Sequence, residues 1–404
     1  MQRVILATVF SISTLANITT AVSKEVQLGP RPFFLVDHMR ESDLKQKLNT
    51  CKQGPFSKSN WSIGHRGAPL QFPEHTRQSY IAAAHMGAGI IECDVTFTKD
   101  KELVCRHSQN DLHTTTNILK STLAETCRRQ FSPANANHAA SAECRASDIA
   151  LAEFKTLSGK MEGSNTTAKS VDEFVDGTPE WRTDLYSGSG ALISHAESIE
   201  LIKSLGAKFT PELKAPVVEM PFDGFSQADY AQALINEYKQ ADIDPSDVYP
   251  QSFNLNDILY WIEHEPEFGK QAIYLESGFT SGHWSANDPS TWRHSMAELK
   301  SLGVNYIAPP LWVLVSLQNG LMVPSEYAIK AKKAGLKIIT WTIERSNLLK
   351  NGGGWYYQSV TDIIDDEGDV FELLHVLHRD VGVSGVFSDW PATTTFYANC
   401  FGLE

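Results

Sequence analysis

The sequence predicts an α/β protein built as a (β/α)8 barrel, the TIM-barrel architecture, with an inserted subdomain after the third strand. Short apolar runs alternate with amphipathic helical segments between residues 61 and 391, which is the pattern of repeated βα units. Several apolar runs end in polar, reactive side chains, as strands do at the rim of such a barrel. One long polar stretch, residues 109–190, interrupts the alternation and predicts the insertion.

The first βα units can be followed residue by residue. Residues 61–64 form an apolar run that predicts the first strand, and Thr76 is a predicted helix N-cap. Gly87 ends that helix, and the next predicted strand contains Glu92. A turn then returns the chain into a third apolar run, which predicts a strand over residues 103–107.

Strands and helices alternate again after the insertion. The predicted strands cover residues 208–214, 248–253, 271–275, 306–309, 337–343 and 385–391. The predicted helices cover residues 193–204, 230–240, 258–264, 296–302, 325–334 and 371–379. Because the carboxyl ends of parallel barrel strands meet at one rim, reactive residues at those ends are expected to share one site.

The composition is that of a globular protein. The chain has 404 residues, of which 42% are apolar and 21% are charged, enough for one enlarged domain or two ordinary ones. The formal net charge is -13. Because proteins that wrap nucleic acid rely on clustered Lys and Arg, this charge argues against a nucleic-acid partner. The sequence does not specify an oligomeric state.

The N-terminus has the pattern of a secretory signal peptide over residues 1–23. A basic start, MQR, precedes the apolar stretch VILATVFSISTLA and a run of small and polar residues. A membrane anchor is the alternative, but the stretch is short for a bilayer and Asn17 interrupts its end. We therefore expect a secreted or periplasmic protein without stable membrane insertion. Residues 24–60 would form an N-terminal extension with a short helix at residues 42–48, and residues 61–404 the barrel.

The cysteine count is even, which suits disulfides in an oxidising compartment. The six cysteines allow fifteen full pairings, and three candidate pairs stand out: Cys127–Cys144, Cys51–Cys400 and Cys93–Cys105. The first pair is favoured because both cysteines lie in the polar insertion. The second would tie the N-terminal region to the C-terminus. The third flanks a turn, where two buried thiols are the alternative.

Reactive side chains follow the first three apolar runs. His65 and Arg66 come directly after the first run, and His107 ends the third. Glu92 and Asp94 lie two residues apart on the second run, so their side chains point to the same side of one strand. Two imidazoles can move protons in opposite directions, and an arginine can grip a phosphate with two hydrogen bonds. This combination indicates metal-assisted attack on a phosphate ester.

A later strand supplies a further carboxylate and a further cation. Glu212 and Lys214 lie two residues apart at the end of the strand predicted for residues 208–214, so they also point the same way. Together with Glu92 and Asp94, Glu212 would give three anionic oxygen ligands, the kind that hold one divalent cation, Ca²⁺ or Mg²⁺. Lys214 would join the arginine in holding the phosphate.

Structural roles are the alternative for each of these residues. A histidine on a buried strand is often only a packed, hydrogen-bonded side chain, and carboxylates often form salt bridges with neighbouring cations. Charged side chains on otherwise apolar strands weigh against this alternative, because unpaired charge inside a barrel is costly.

The same residues form motifs that resemble the glycerophosphodiester phosphodiesterase family. HRGA, PEHT, ECD and the histidine at position 107 are similar to that family's HRG, PENT, ExD and HD motifs. The resemblance spreads over residues 61–391 and implies a TIM barrel in which His65 and His107 act on a phosphodiester. One histidine would assist the nucleophile, and the other would protonate the leaving alkoxide. Residues 109–190 would then be a variable cap over the active-site mouth, with a tolerated surface excursion as the alternative.

Further site residues follow from the resemblance. Glu74 in PEHT carries over as an active-site carboxylate that contacts the metal or orients a histidine. Trp341, in a strand similar to the family's TWT strand, and Phe253, at a strand end similar to the family's SF, would wall the pocket, with core packing as the alternative. The sequence departs from the family at two positions, because His75 stands where asparagine is usual and Ser108 where aspartate is usual.

The resemblance therefore implies a metal-dependent glycerophosphodiester phosphodiesterase that releases glycerol 3-phosphate and an alcohol such as choline or ethanolamine. The first alternative is an enzyme with the same site that acts on a lysophospholipid or a sphingolipid, in the manner of lysophospholipase D or sphingomyelinase D. The second is a secreted barrel that binds phosphodiesters or metal without catalysis, and the presence of both histidines and all three carboxylates argues against it.

Overall fold

A computed structural model describes residues 26–404, so the predicted signal peptide lies outside the described residues. Eight parallel strands form a closed barrel, which confirms the predicted (β/α)8 fold. β1 pairs with both β2 and β8, and these pairings close the barrel. In chain order the strands are β1 (Ser59–Gly64), β2 (Ala88–Phe97), β3 (Lys208–Leu213), β4 (Gln251–Ser252), β5 (Ile273–Leu275), β6 (Tyr306–Ala308), β7 (Lys337–Ile343) and β8 (Gly385–Ser388).

The third strand along the chain is not one of these eight. Leu103–Cys105 runs antiparallel to β2, with Cys105 opposite Val95. The disulfide between Cys93 and Cys105 joins this hairpin, which decides between the two alternatives left open for these cysteines. The insertion therefore leaves the barrel from the hairpin partner of β2.

A barrel helix follows each barrel strand, and polar side chains cap the N-termini of several of these helices. Thr76 Oγ1 accepts a hydrogen bond from the Ser79 amide, which makes Thr76 an N-cap as predicted. Ser194 and Glu197 form a capping box at the start of the helix before β3. The barrel helices are Arg77–His85, His195–Leu205, Gln227–Gln240, Leu255–His264, Met296–Ser301, Glu326–Lys333, Asp369–Val376 and Ala392–Phe401. Among the described residues, no helix has both the length and the apolar character needed to cross a membrane.

The predicted strand over residues 248–253 is shorter in the barrel. Only Gln251–Ser252 forms β4, and Val248 makes an isolated bridge to Phe209. Pro250 lies between the two and has no amide to donate to a ladder, although its carbonyl accepts the Ile273 amide. The prediction placed the strand correctly and overstated its length.

The N-terminal part packs against the end of the chain. It contains the helices Arg31–Asp37 and Asp43–Thr50, and Ser42 caps the second of them. The ring of Phe33 meets that of Phe396 edge-on, with centroids 5.5 Å apart. The disulfide Cys51–Cys400 joins the same two regions.

Residues 109–190 have a small core of their own. Ile118, Phe154 and Phe174 are among its buried side chains, and the disulfide Cys127–Cys144 closes one of its loops, as favoured from the sequence. Its helices are Leu112–Thr115, Leu151–Phe154 and Val171–Val175, and its strands pair as Arg129–Ser132 with Ser141–Glu143 and Ser158–Gly159 with Gly190–Ala191. The last pair joins the middle of the insertion to its C-terminal end. The residues that flank the insertion also meet, because Val104 forms an antiparallel bridge with Ser194, so the insertion leaves and re-enters the barrel at neighbouring points.

Alternation along the strands fills the barrel interior. Ile63, Ile90, Ile339 and Phe387 belong to one apolar cluster inside the barrel. Two residues further along, the same side of each strand carries a polar or aromatic group, namely His65, Glu92, Trp341 and Asp389. The apolar layer therefore forms the floor on which the site is built.

Candidate active site

A cavity of about 220 Å³ opens at the carboxyl ends of the barrel strands. All of the predicted site residues lie at this cavity or directly behind its lining. Asp94 and Glu74 are behind the lining, where both contact Arg66. The lining consists of His65, Arg66, Glu92, His107, Glu212, Lys214, Gln251, Phe253, Leu275, Trp341, Tyr356 and Phe387.

Three buried carboxylates from two neighbouring strands meet at this cavity. Asp94 on β2 is in register with Glu212 on β3, and one oxygen from each of Glu92, Asp94 and Glu212 lies within 4.8 Å of the others. Burial and the negative charges of Asp94 and Glu212 raise the pKa of Glu92 well above its usual value. Asp94 Oδ1 is buried without a hydrogen-bond partner among residues 26–404. This all-oxygen donor set fits a hard divalent cation.

Two cations lie against the carboxylates. Lys214 Nζ is 2.6 Å from Glu212 Oε1. Arg66 Nη1 donates to Glu74 Oε2 at 3.0 Å, and Arg66 Nε is 3.3 Å from Asp94 Oδ2. Glu74 thus holds the guanidinium at the edge of the cavity, where a phosphate oxygen would meet it.

The turn after β1 places Arg66 in a conformation that needs a glycine beside it. Arg66 has φ 54° and Gly67 has φ 94°, both in the left-handed region. A Cβ atom at position 67 would lie 2.3 Å from Ser79 Oγ, and that hydroxyl donates to the Arg66 carbonyl at 3.1 Å. The same turn directs the Arg66 amide to Glu92 Oε2, at 3.0 Å.

The ring of His65 is held by the Asp389 carboxylate at Nδ1, the ring nitrogen that faces away from the cavity. Its Nδ1 lies 2.6 Å from Asp389 Oδ1, while its Nε2 faces the cavity, 3.8 Å from Glu92 Oε2. Burial favours a neutral carboxyl, but Arg345 and the His65 hydrogen bond outweigh it and hold the pKa of Asp389 well below its usual range. Burial and the charge of Arg66 lower the pKa of His65 to about 4. A neutral His65 therefore donates from Nδ1 to the ionised Asp389 and presents an unprotonated Nε2 to the cavity.

His107 also lines the cavity and is half-buried. Burial and the positive charges of Arg66 and Lys214 hold the pKa of His107 well below its usual value. The preceding side chain, Arg106, is fully buried and donates to backbone carbonyls, among them that of Glu74. These bonds fix the segment that carries His107 to the segment that carries the PEHT motif.

The two positions that depart from the family motifs have defined contacts. His75 is fully buried, with Nε2 2.8 Å from Asp94 Oδ2 and Nδ1 2.9 Å from the Tyr80 hydroxyl. Ser108 Oγ donates to Asn110 Oδ1 at 2.6 Å. His75 therefore supports one carboxylate of the trio from outside the cavity, while Ser108 contacts its own loop.

Aromatic rings form one wall. Trp341 Nε1 donates to the Ala308 carbonyl at 2.9 Å, which fixes the indole. Phe253 and Tyr356 meet Trp341 edge-on, with centroids 6.0 and 5.9 Å away. Trp355 stacks on Trp341 at 6.0 Å and is 42% exposed. The wall therefore extends from the cavity to the protein surface.

Some residues of the site were not identified from the sequence. Gln251 Nε2 donates to Glu92 Oε1 at 2.8 Å, and Arg345 Nη1 donates to Asp389 Oδ2 at 2.9 Å. Gln251 lies two residues before the end of the strand predicted for residues 248–253, and Arg345 follows the strand predicted for residues 337–343, so the rule that strand ends share one rim could have pointed to them. Their chemical partners depend on how neighbouring strands meet.

Two further residues come from the insertion. Glu162 and Arg182 contact each other at 2.8 Å, and Arg182 Nη2 is 3.3 Å from Asp389 Oδ2. No periodic pattern or motif in residues 109–190 marks these two residues, so only the folded arrangement brings them to notice.

Comparison with known proteins places this chain in a family. Residues 65–393 match the sequence profile described as "Glycerophosphoryl diester phosphodiesterase family". An "Extracellular protein" of Arthroderma benhamiae is 46% identical over 249 residues, which cover 60% of this chain and all of the relative. "Glycerophosphodiester phosphodiesterase GDPD6" of Arabidopsis thaliana is 26% identical over 189 residues, 46% of this chain and 44% of that protein.

The fold has solved counterparts. A protein of Silicibacter pomeroyi, assigned as a glycerophosphoryl diester phosphodiesterase, has a crystal structure that superposes with a TM-score of 0.57. That likeness covers 87% of this chain and 96% of the other at 17% sequence identity, so it speaks for the shared fold. With its profile match over most of the barrel, the chain belongs to the glycerophosphoryl diester phosphodiesterase family, and it is a phosphoric diester hydrolase of glycerophosphodiesters.

Proposed function

We propose that this enzyme is a secreted, metal-dependent hydrolase that cleaves glycerophosphodiesters to glycerol 3-phosphate and an alcohol such as choline or ethanolamine. The observation that supports the proposal is a single cavity of about 220 Å³ that brings together two histidines, two cations and carboxylates on neighbouring strands. Each of these groups has a separate task in phosphodiester cleavage.

Glu92, Asp94 and Glu212 would hold one divalent cation, Ca²⁺ or Mg²⁺. Their buried oxygens lie within 4.8 Å of one another, and mutual repulsion among buried carboxylates favours a bound cation. When bound, the ion supplies positive charge for a phosphoryl oxygen.

Arg66 and Lys214 would hold the phosphate. Both line the cavity, and Glu74 keeps the Arg66 guanidinium in place at 3.0 Å. Trp341 and Phe253, which meet edge-on, would wall the cavity against the glycerol or alcohol portion. An apolar wall beside charged groups suits a substrate with one anionic centre and a less polar arm.

The two histidines would move the protons. Nε2 of His65 faces the cavity without a proton, so it would take one from the attacking water as the water oxygen bonds to phosphorus. Asp389 stabilises the imidazolium that results, through the 2.6 Å contact at Nδ1. The bond between phosphorus and the alcohol oxygen then breaks, and His107 would give its proton to that oxygen. Proton exchange with solvent water would return both histidines to their starting states. A bound phosphodiester anion offsets the cations that otherwise hold His107 neutral.

We propose that residues 1–23 are a signal peptide that directs the enzyme out of the cell or to the periplasm. The three disulfides suit an oxidising compartment, and the relative from Arthroderma benhamiae is named an extracellular protein. We further propose that residues 24–60 are an extension and that residues 61–404 form the catalytic barrel, with residues 109–190 as its cap.

A lysophospholipase D or sphingomyelinase D-like activity on the same site is a second candidate. The aromatic wall supports it, because Trp355 stacks on Trp341 and extends the wall to the surface, where an acyl chain could lie. The insertion supports the first candidate, since Glu162 and Arg182, the side chains that it sends to the site, are charged. Hydrolysis of glycerophosphocholine, compared with that of lysophosphatidylcholine, separates the two.

Substitution of each histidine, tested on two kinds of substrate, checks the proton assignments. We expect His65→Ala and His107→Ala to lower kcat on glycerophosphocholine by roughly 10²- to 10⁴-fold. A p-nitrophenolate leaving group needs no proton when it departs. A diester with this leaving group should therefore restore the hydrolysis rate of His107→Ala and leave His65→Ala inactive. His264→Ala, at an exposed position of a barrel helix, is the matched control. Unchanged hydrolysis by either active-site variant would remove that histidine from the mechanism.

A further inference from the structure

We infer that the insertion is part of the catalytic apparatus, because its Glu162 and Arg182 position Asp389 and, through Asp389, the imidazole of His65. The inference rests on the proposed role of His65. It assigns Glu162 and Arg182 as positioning residues, which act on the reaction without touching the substrate.

Both carboxylate oxygens of Asp389 form hydrogen bonds. Oδ1 contacts His65 Nδ1 at 2.6 Å, and Oδ2 accepts from Arg345 Nη1 at 2.9 Å and from Arg182 Nη2 at 3.3 Å. The Asp389 side chain is fully buried. Because donors from two directions hold Oδ2, the carboxylate plane cannot rotate freely, and the lone pair that meets His65 keeps its direction.

Glu162 brings the two arginines together. Its Oε2 accepts from Arg182 Nη1 at 2.8 Å and also from Arg345 Nη2. Two guanidinium groups on one carboxylate oxygen repel each other, and a second carboxylate between them offsets that repulsion. Glu162 and Asp389 thus each contact both arginines, and the second oxygen of Glu162, Oε1, lies 3.9 Å from Arg66 Nη1.

Hydrogen bonds to backbone carbonyls hold the two segments of the insertion that carry Glu162 and Arg182. The Lys160 ammonium donates to the carbonyls of Thr114, Met161 and Gly163, at 2.8, 2.6 and 2.8 Å, and so gathers the loop that carries Glu162. On the other side, the Thr183 amide donates to the Leu70 carbonyl at 3.3 Å, next to Arg182. Glu162 and Arg182 are therefore carried on backbone that is itself held in place.

Stability alone is a weak reason for such a cluster. The Arg182 and Asp389 side chains are 2% and 0% exposed, and burying charges costs about as much as their attraction returns. Fixing a reacting imidazole has a larger effect, because a misplacement of about 1 Å can cost roughly 100-fold in rate. The cluster includes Asp389, which contacts His65 directly. This position favours a role in fixing the His65 imidazole.

Steady-state kinetics on glycerophosphocholine and glycerophosphoethanolamine test the inference. We expect Arg182→Met to lower kcat by about 10- to 100-fold while KM changes by less than about threefold. Arg182→Lys should recover part of the loss, since lysine can reach one carboxylate but cannot bridge two. Glu162→Gln should lower kcat in the same sense. Lys120→Ala is the control, because Lys120 forms an exposed ion pair with Asp172 on the same insertion.

The results separate this inference from the proposed function. Wild-type kcat in both Arg182→Met and Glu162→Gln, with His65→Ala inactive, would overturn the inference and leave the function intact. Full activity of His65→Ala would remove His65 from the mechanism and the inference with it, whereas no turnover of either glycerophosphodiester by the wild-type protein would overturn the proposed function. A raised KM at unchanged kcat, or an equal loss in Lys120→Ala, would also overturn the positioning role. If Arg182→Met has a lower melting temperature than the wild type, its kcat is not used. The kcat of Glu162→Gln, measured at a temperature at which that variant is fully folded, then decides whether the inference holds.

Discussion

Asp94 shows how a single side chain joins several parts of the site. Arg66 and His75 contact its Oδ2 at 3.3 and 2.8 Å, and Glu212 is its partner in the strand register. Burial alone would raise the pKa of Asp94, but Lys214 and His75 outweigh it and hold that pKa well below the usual value. Asp94 is therefore ionised in the folded protein, as a ligand of a hard cation must be.

The role of His75 can be tested by giving it the residue that the family usually has. His75→Asn fits the local backbone, because φ at this position is 53° and asparagine tolerates that region. The shorter side chain cannot reach both Asp94 and Tyr80, so we expect a loss of about 1–3 kcal/mol in the free energy of unfolding. We expect kcat to stay within about tenfold of the wild type, since His75 lies outside the cavity.

Chemical denaturation of this variant measures the free energy of unfolding, and steady-state kinetics measures kcat. A kcat loss beyond about 100-fold in a folded His75→Asn protein would mean that His75 takes part in the chemistry, contrary to its supporting position.

At the scale of elements, the insertion behaves as a small unit with its own half-buried histidine. His113 packs on Phe174, with ring centroids 6.4 Å apart, and its Nδ1 has no hydrogen-bond partner in the described part of the chain. Burial lowers the pKa of His113 to about 4. The unfolded chain therefore binds a proton at this residue between pH 6.5 and 4 that the folded chain does not bind.

The sign of the resulting pH dependence follows from that difference. Stability should fall as the pH drops from 6.5 toward 4, because protonation favours the unfolded chain. His113→Phe keeps the ring against Phe174 and removes the proton site, so it should weaken this dependence. Melting temperatures of both proteins at pH 7 and pH 5 measure the effect. An equal drop in the two proteins would show that other groups cause it.

The elements of the barrel were predictable because each carries its own signal. Alternation in β2 predicts that Glu92 and Asp94 share a side, and Thr76 marks the start of a helix through its cap. The third strand is the instructive exception. Its apolar run is indistinguishable from that of a barrel strand, and only its antiparallel pairing in the hairpin with β2 shows that it lies outside the set of eight.

The rest of the site depends on contacts between distant parts of the chain. His65 and Asp389 are 324 positions apart, and the ends of their strands meet only when β1 pairs with β8. Glu162 and Arg182 lie in a segment without periodicity, so nothing local predicts that they reach the rim. Local patterns thus predict which side chains face inward, while closure decides which of them are partners.

On the scale of the whole molecule, barrel closure is what turns scattered reactive residues into one site. β1 and β8 bring the two ends of the barrel chain together, and the disulfide Cys51–Cys400 ties the N-terminal helices to the last barrel helix. We propose that the closed barrel uses a divalent cation, held by carboxylates of β2 and β3, to hydrolyse glycerophosphodiesters.

The most direct test is glycerol 3-phosphate release by protein that has been stripped with EDTA and verified ion-free by elemental analysis. We predict no turnover of glycerophosphocholine in the stripped protein and recovery when Ca²⁺ or Mg²⁺ is returned, with one ion bound per chain by calorimetry. Glu212→Gln should lose both the bound ion and the recovery. Full turnover in the verified ion-free protein would contradict metal dependence.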